Sequence, residues 1–166
     1  MFDLINGLPV HALVVHAVVV LLPLACLGTL AIAVKPAWRR RYGVLVVACA
    51  AAATVLIPVA TSSGEALEHR VGNPGEHAEL GDQLIWFAIP LLVTCAALVW
   101  LDRRARASGH DSADRVDTPA DPKRRTLTMA VAVLAAVASL ATSVQVYRVG
   151  DSGARAAWGN RVSAGS

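Results

Sequence analysis

Four stretches of the chain, residues 10–34, 44–63, 83–101 and 126–147, contain no Asp, Glu, Lys or Arg. Each is long enough to cross the roughly 30 Å hydrocarbon layer of a bilayer as a helix rising about 1.5 Å per residue. A segment in hydrocarbon must pair its own backbone N–H and C=O groups, which leaves helices and closed barrels as the spanning structures. A barrel strand would alternate apolar and polar residues, and these stretches do not. The pattern predicts an all-α integral membrane four-helix bundle, and 166 residues leave room for a single domain. The composition agrees, since 55% of residues are hydrophobic and only 16% charged, against roughly 25% charged in soluble proteins. The first stretch has no Lys or Arg before it and outruns the short apolar core of a signal peptide, so it reads as a retained span.

Direction follows from the basic residues, because cytoplasmic loops hold the excess of Lys and Arg. The first connection has Lys35, Arg39, Arg40 and Arg41, and the third has Arg103, Arg104, Arg106, Arg115, Lys123, Arg124 and Arg125. The second has Arg70 alone, and the C-terminal tail has Arg148, Arg155 and Arg161. Eleven against four predicts that both termini and the second connection lie outside the cytoplasm. The net charge of +3 therefore describes orientation and not a nucleic-acid surface. Trp38, Tyr42 and Trp100 near one boundary and Trp86 and Tyr147 near the other fit the aromatic belts of a bilayer. Cys26, Cys49 and Cys95 fall within spans as small apolar residues, with no disulfide framework or paired metal spacing. Residues 102–125 are rich in Asp, Arg, Ser, Ala and Pro and read as a mobile cytoplasmic loop in which His110 is simply solvated. No internal repeat stands out.

Four of the five histidines, His11, His16, His69 and His77, fall at or beyond the outer ends of the predicted helices. Asn73, Pro74 and Gly75 form a turn signal, with Pro74 suited to a first helical position. The second and third helices are thus expected to protrude outside the membrane as a helical hairpin. His69 and His77 are equally distant from Asn73 and would face one another, with Glu65 one turn below His69 and Glu76, Glu79 and Asp82 on the other arm. Imidazole with carboxylate suits a divalent transition metal, and paired imidazoles suit haem iron. A solvated hairpin tip would carry the same residue types.

Depth separates the candidates. His16 is expected roughly 8 to 9 Å below a boundary at Val10 and the hairpin pair about 10 Å above it, at 1.5 Å per residue. His16 would then pair with Thr61, Ser62 or Gln145, or serve as a neutral interhelical hydrogen bond. His11 and His16 are about 140° apart around a helix and do not share a face. Thr54, Pro58, Thr61 and Glu65 on the second helix, and Ser139, Thr142, Ser143 and Gln145 on the fourth, form polar stripes that pack or line a small outward cavity. The run from Gly150 to Arg155 reads as a tight exit turn, or as a place where Asp151 and Arg148 reach the hairpin tip. No nucleophile and base stand at a recognisable spacing, and no span carries an acid of the kind transporters use, so neither an enzyme nor a transporter is expected.

The runs GLPVHALVVHAVVVLLPLA (7–25), TSSGEALEHRV (61–71), HAELGDQL (77–84) and VYRVGDSGARAAW (146–158) together resemble domain-of-unknown-function family 2231. The resemblance implies a four-span protein of a bacterial cytoplasmic membrane without an assigned activity, related to modules found beside redox domains. Its pattern matches at His11, His16, Gly64, Glu65, His69, His77, Gly150, Gly153 and Ala154, whereas some relatives carry His where this chain has Asp151. The expected function is a module of membrane electron transfer with haem b or a divalent transition metal. His11, His16, His69 and His77 are its candidate cofactor ligands, and Glu65, His69, His77 and Asp151 its candidate metal ligands. The alternative is a structural or assembly subunit of a membrane complex with no cofactor. Expected partners are the bilayer and a redox or membrane-complex protein, with no nucleic acid. Reporter fusions at residues 73 and 166 are expected to be active only outside the cytoplasm, and a fusion within 102–125 only inside it. The reverse pattern would invert the assigned direction.

Overall fold

The computed structural model describes the backbone of residues 4–5, 8–71, 75–110 and 122–162, and the side chains of 11–66, 75–107 and 122–156. Two short strands, β1 (Leu4–Ile5) and β2 (Leu8–Pro9), form an antiparallel ladder that the expectation of helices alone did not include. Four long helices follow: α1 (Val10–Val34), α2 (Pro36–Val71), α3 (Glu76–His110) and α4 (Pro122–Val162). All four are long and apolar enough to cross a membrane, so the chain is a multi-pass membrane protein with an all-α bundle.

Local chemistry explains the helix boundaries. Pro36 and Pro122 each open a helix, where a missing N–H costs nothing and φ is already suitable. Only Lys35 separates α1 from α2. Gly75 has φ of 63°, the left-handed region that glycine enters freely, and its carbonyl accepts from Ala78 N at 3.0 Å. α3 then begins with Glu76 and Glu79 in its first turn, where the positive end of the helix dipole favours carboxylates. The expected turn residues Asn73 and Pro74 lie outside the described residues.

The helices overrun the charge-free stretches in both directions. α2 and α3 do extend past their apolar segments as a hairpin, but α4 runs beside them to Val162. Gly150 to Arg155, read as an exit turn, is continuous helix within α4. Of the segment 102–125, residues 102–110 and 122–125 are helical and 111–121 lie outside the described residues.

The helices form a ring in chain order. α1 packs on α2 and α4, α3 packs on α4 and α2, and α1 meets α3 only slightly across the diagonal. Inside the ring Leu22, Ile32, Leu91 and Leu98 are buried together with small side chains, among them Ala50, Ala53, Ala88, Ala135, Ser139 and Thr142. Val20, Leu27, Leu45, Val55 and Val144 are exposed, as a lipid-facing surface requires. Lipid tails are as apolar as leucine, so helix contact is driven by close packing of small residues. Gly28 sits against Val46 and Gly43 against Val99, and a Cβ at either glycine would come within 2.8 Å of a valine methyl.

We call the end where α1 and α3 begin the head of the bundle and the opposite end its foot. At the foot, Arg39 is only 5% exposed. Its Nε donates to Ile32 O at 3.1 Å and its Nη2 to Ala33 O at 3.3 Å, while Asp102 lies 4.0 Å from Nη1. α1 has no basic residue in its own last turn, so α2 supplies the cation that satisfies its terminal carbonyls and α3 supplies the counter-charge. Gly43→Leu is expected to lose about 1–3 kcal/mol of stability through overpacking against Val99. Thermal unfolding in detergent would check it, with the exposed Leu45→Ala as a control that changes little.

Candidate functional site

The head of the bundle brings together groups from all four helices. His11 stands in the first turn of α1, facing the last part of α2. Its Nδ1 lies 2.9 Å from Ala60 O and 3.3 Å from Ser63 Oγ. Ser63 Oγ itself donates to Ala60 O at 2.9 Å. His77 stands in the first turn of α3, facing α4. Its Nδ1 lies 3.1 Å from Val149 O and 3.3 Å from Ser152 Oγ, and Ser152 Oγ donates to Val149 O at 2.9 Å.

A carbonyl oxygen only accepts, so Nδ1 must carry the proton in both rings. A neutral imidazole with a proton on Nδ1 has a bare lone pair on Nε2. Neither Nε2 has a hydrogen-bond partner among the described residues. Gly64 and Gly153 provide the room, since a Cβ there would stand 3.1 Å from Cε1 of His11 and 3.0 Å from Cε1 of His77.

Both rings line one cavity of about 710 Å³. Its wall is largely aliphatic, with Val15, Val18, Ile57, Leu84 and Val146. Glu65, Glu79 and Asp82 add carboxylates, and among the described residues no Lys or Arg is in the wall. Beneath it, Gln145 is buried and donates Nε2 to Leu80 O at 3.1 Å, while Thr142 donates to Phe87 O at 3.1 Å. These bonds tie α3 to α4 under the site.

The sequence candidates divide accordingly. His11, His77 and Glu65 meet at the cavity. His77 was expected well above the level of His11; it lines the same space because its charged flank remains helical and packs on α4. His16 is exposed, its Nδ1 donates to Ala12 O of its own helix at 2.5 Å, and it is not in the cavity wall. Its expected partners bond elsewhere, Gln145 to Leu80 and Thr61 to Pro58 O at 3.2 Å. Asp151 is paired with Arg155 at 2.6 Å on an exposed face of α4 and is not in the wall. The side chain of His69 lies outside the described residues. Among the described residues, no group of three or more His, Cys, Asp or Glu is placed to hold a metal ion.

Ser63 and Ser152 were missed as site residues. The sequence signal for them was the dipeptide Ser-Gly, present at 63–64 and at 152–153. The carbonyls of Ala60 and Val149 have no signal in a sequence.

A family model described as a predicted membrane protein of domain-of-unknown-function family 2231 matches residues 7–165, and the chain belongs to that family. Neither a curated protein nor a solved structure matches. Gln145→Leu is expected to lower stability by about 0.6–2 kcal/mol, the range of interhelical hydrogen bonds in membranes, with helix content unchanged. Reversible unfolding in mixed micelles followed by circular dichroism would check it.

Proposed function

We propose that this family member is a cofactor-binding module of membrane electron transfer, and that His11 and His77 hold a haem-type iron in the head cavity. One observation carries the reading: two imidazoles from different helices, each anchored through Nδ1, share a single cavity, with both Nε2 atoms unpartnered among the described residues. A ligating histidine commonly donates its other ring N–H to a backbone carbonyl, which fixes the tautomer and orients the ring. Small transition-metal ions generally take three or more protein ligands, whereas haem iron in a four-helix bundle takes two axial ones. Two imidazoles meeting at one cavity match the two-ligand group. The volume of about 710 Å³ lies within the roughly 300–1,000 Å³ of small-molecule sites.

Bound there, a haem would supply one-electron chemistry. The protein would contribute two imidazoles, a largely aliphatic wall, and three carboxylates whose charge favours the more positive oxidation state. The excess of Lys and Arg at the foot supports placing the foot in the cytoplasm and the cavity outside, in a bacterial cytoplasmic membrane. A redox partner would then approach from the extracytoplasmic side.

One observation favours a cofactor-free structural subunit instead: both histidines already bridge helices, as interhelical polar groups do. Absorption spectroscopy separates the two readings. Protein purified in lipid nanodiscs from haem-replete cells is expected to show a Soret band that is lost or shifted in His11→Ala and in His77→Ala and retained in His16→Ala. A fully helical protein with no Soret band, and none after titration with haemin, would overturn the cofactor reading.

A further inference from the structure

The two histidine clamps share one geometry. Each ring donates Nδ1–H to a carbonyl on the next helix, at 2.9 and 3.1 Å, and each has a serine hydroxyl at 3.3 Å. That serine is in both cases three residues after the carbonyl and bonded to it at 2.9 Å, and the next residue is in both cases the glycine under the ring.

The correspondence extends along the helices. With His11 set on His77, α1 and α3 bury matching positions: Val18 with Leu84, Ala25 with Leu91, Ile32 with Leu98. They expose matching positions too, Val20 with Trp86 and Leu27 with Val93. With Ser63 set on Ser152, α2 and α4 bury Val46 with Ala135, Ala50 with Ser139 and Ala53 with Thr142, and expose Leu45 with Leu134 and Val55 with Val144. Exchanging α1 with α3 and α2 with α4 also maps the packing of the ring onto itself. Residue identity largely hides this relation, because burial in a bundle constrains side-chain size and polarity more than type.

We propose that the chain is a fused pair of equivalent helix hairpins, and that Ser63–Gly64 and Ser152–Gly153 are matched positioning residues that fix the tautomer of His11 and His77 and turn both Nε2 atoms to the shared cavity. The chemistry is specific. The serine O–H is committed to the carbonyl, so the hydroxyl offers Nδ1 only lone pairs. Both neighbours of Nδ1 are then acceptors, and the proton is held on Nδ1. Glycine lets the ring approach close enough for both bonds, and a methyl group in its place would make the ring give way by a few tenths of an ångström. The cavity lies where the two clamps meet, and several wall residues come in equivalent pairs, among them Val18 with Leu84 and Ile57 with Val146.

The proposal holds whichever ligand fills the cavity, and its test needs none. The full chain, with ¹⁵N-labelled histidine and held in lipid nanodiscs, is examined by nuclear magnetic resonance without added metal or haem. Single His→Gln variants assign the ring signals. In the wild type, His11 and His77 are expected as the Nδ1–H tautomer. Gly64→Ala should change the ring signals of His11 alone and Gly153→Ala those of His77 alone. Ser63→Ala, which removes one of the two acceptors at Nδ1, should shift the ring signals of His11, and Ser63→Thr, which keeps the hydroxyl, should restore the original state. Should Gly64→Ala prevent folding, the serine pair decides. An Nε2–H tautomer in the wild type, or His11 signals unmoved by Ser63→Ala in folded protein, would overturn the proposal. Failure of the haem titration alone leaves it standing.

Discussion

In hydrocarbon a carbonyl oxygen without a partner has no water to turn to, and the foot of this bundle is organised around supplying one. At the foot, the guanidinium of Arg39 takes the last carbonyls of α1 and is itself answered by Asp102, so three helices meet at one cation. At the head, carbonyls within α2 and α4 each accept hydrogen bonds from a histidine N–H and a serine O–H. Between these ends small residues let the helices touch closely, and nothing larger than Gly is accommodated where α1 meets Val46 or α2 meets Val99. The position of the cavity follows. It lies where polar bonds between the helices meet the upper edge of the apolar core, to which Val18, Ile57 and Leu84 belong.

Much of this was legible in the amino-acid sequence. The absence of charge over four stretches is a direct consequence of the solvent, so the number of helices and the absence of a barrel could be read from it. Where the helices end could not. A charge-free window marks the hydrocarbon slab, whereas a helix continues for as long as its neighbours and its caps support it. Glu76 starts α3 beside the turn signalled by Asn73, Pro74 and Gly75, ahead of the charge-free run that opens at Gln83. Gly150 and Gly153, strong turn residues in water, remain in helix because α4 packs on α3 at that height.

The site was half legible for the same reason. His11 and His77 were recognised as unusual, but symmetry about a turn suggested His69 as the partner of His77, and distance along the chain says nothing about which helices face each other. Pairing His11 with His77 needed the ring order of the helices. Their anchors needed backbone positions, which residue types do not encode. The short Ser-Gly pairs were visible, yet each taken alone is an ordinary dipeptide.

The wall of the cavity is not as even-handed as its two clamps. The position equivalent to Asp82 is occupied by His16, which faces away from the cavity, and the position equivalent to Glu65 is Ala154. All three wall carboxylates thus lack an acidic counterpart in the other hairpin, since Glu79 corresponds to Leu13. A guest gripped by two equal hands would meet unequal electrostatic surroundings on its two sides. An elongated or polar guest would accordingly settle in one of two otherwise equivalent poses. Duplication would have supplied the grip, and divergence of a few side chains would have given it a front and a back.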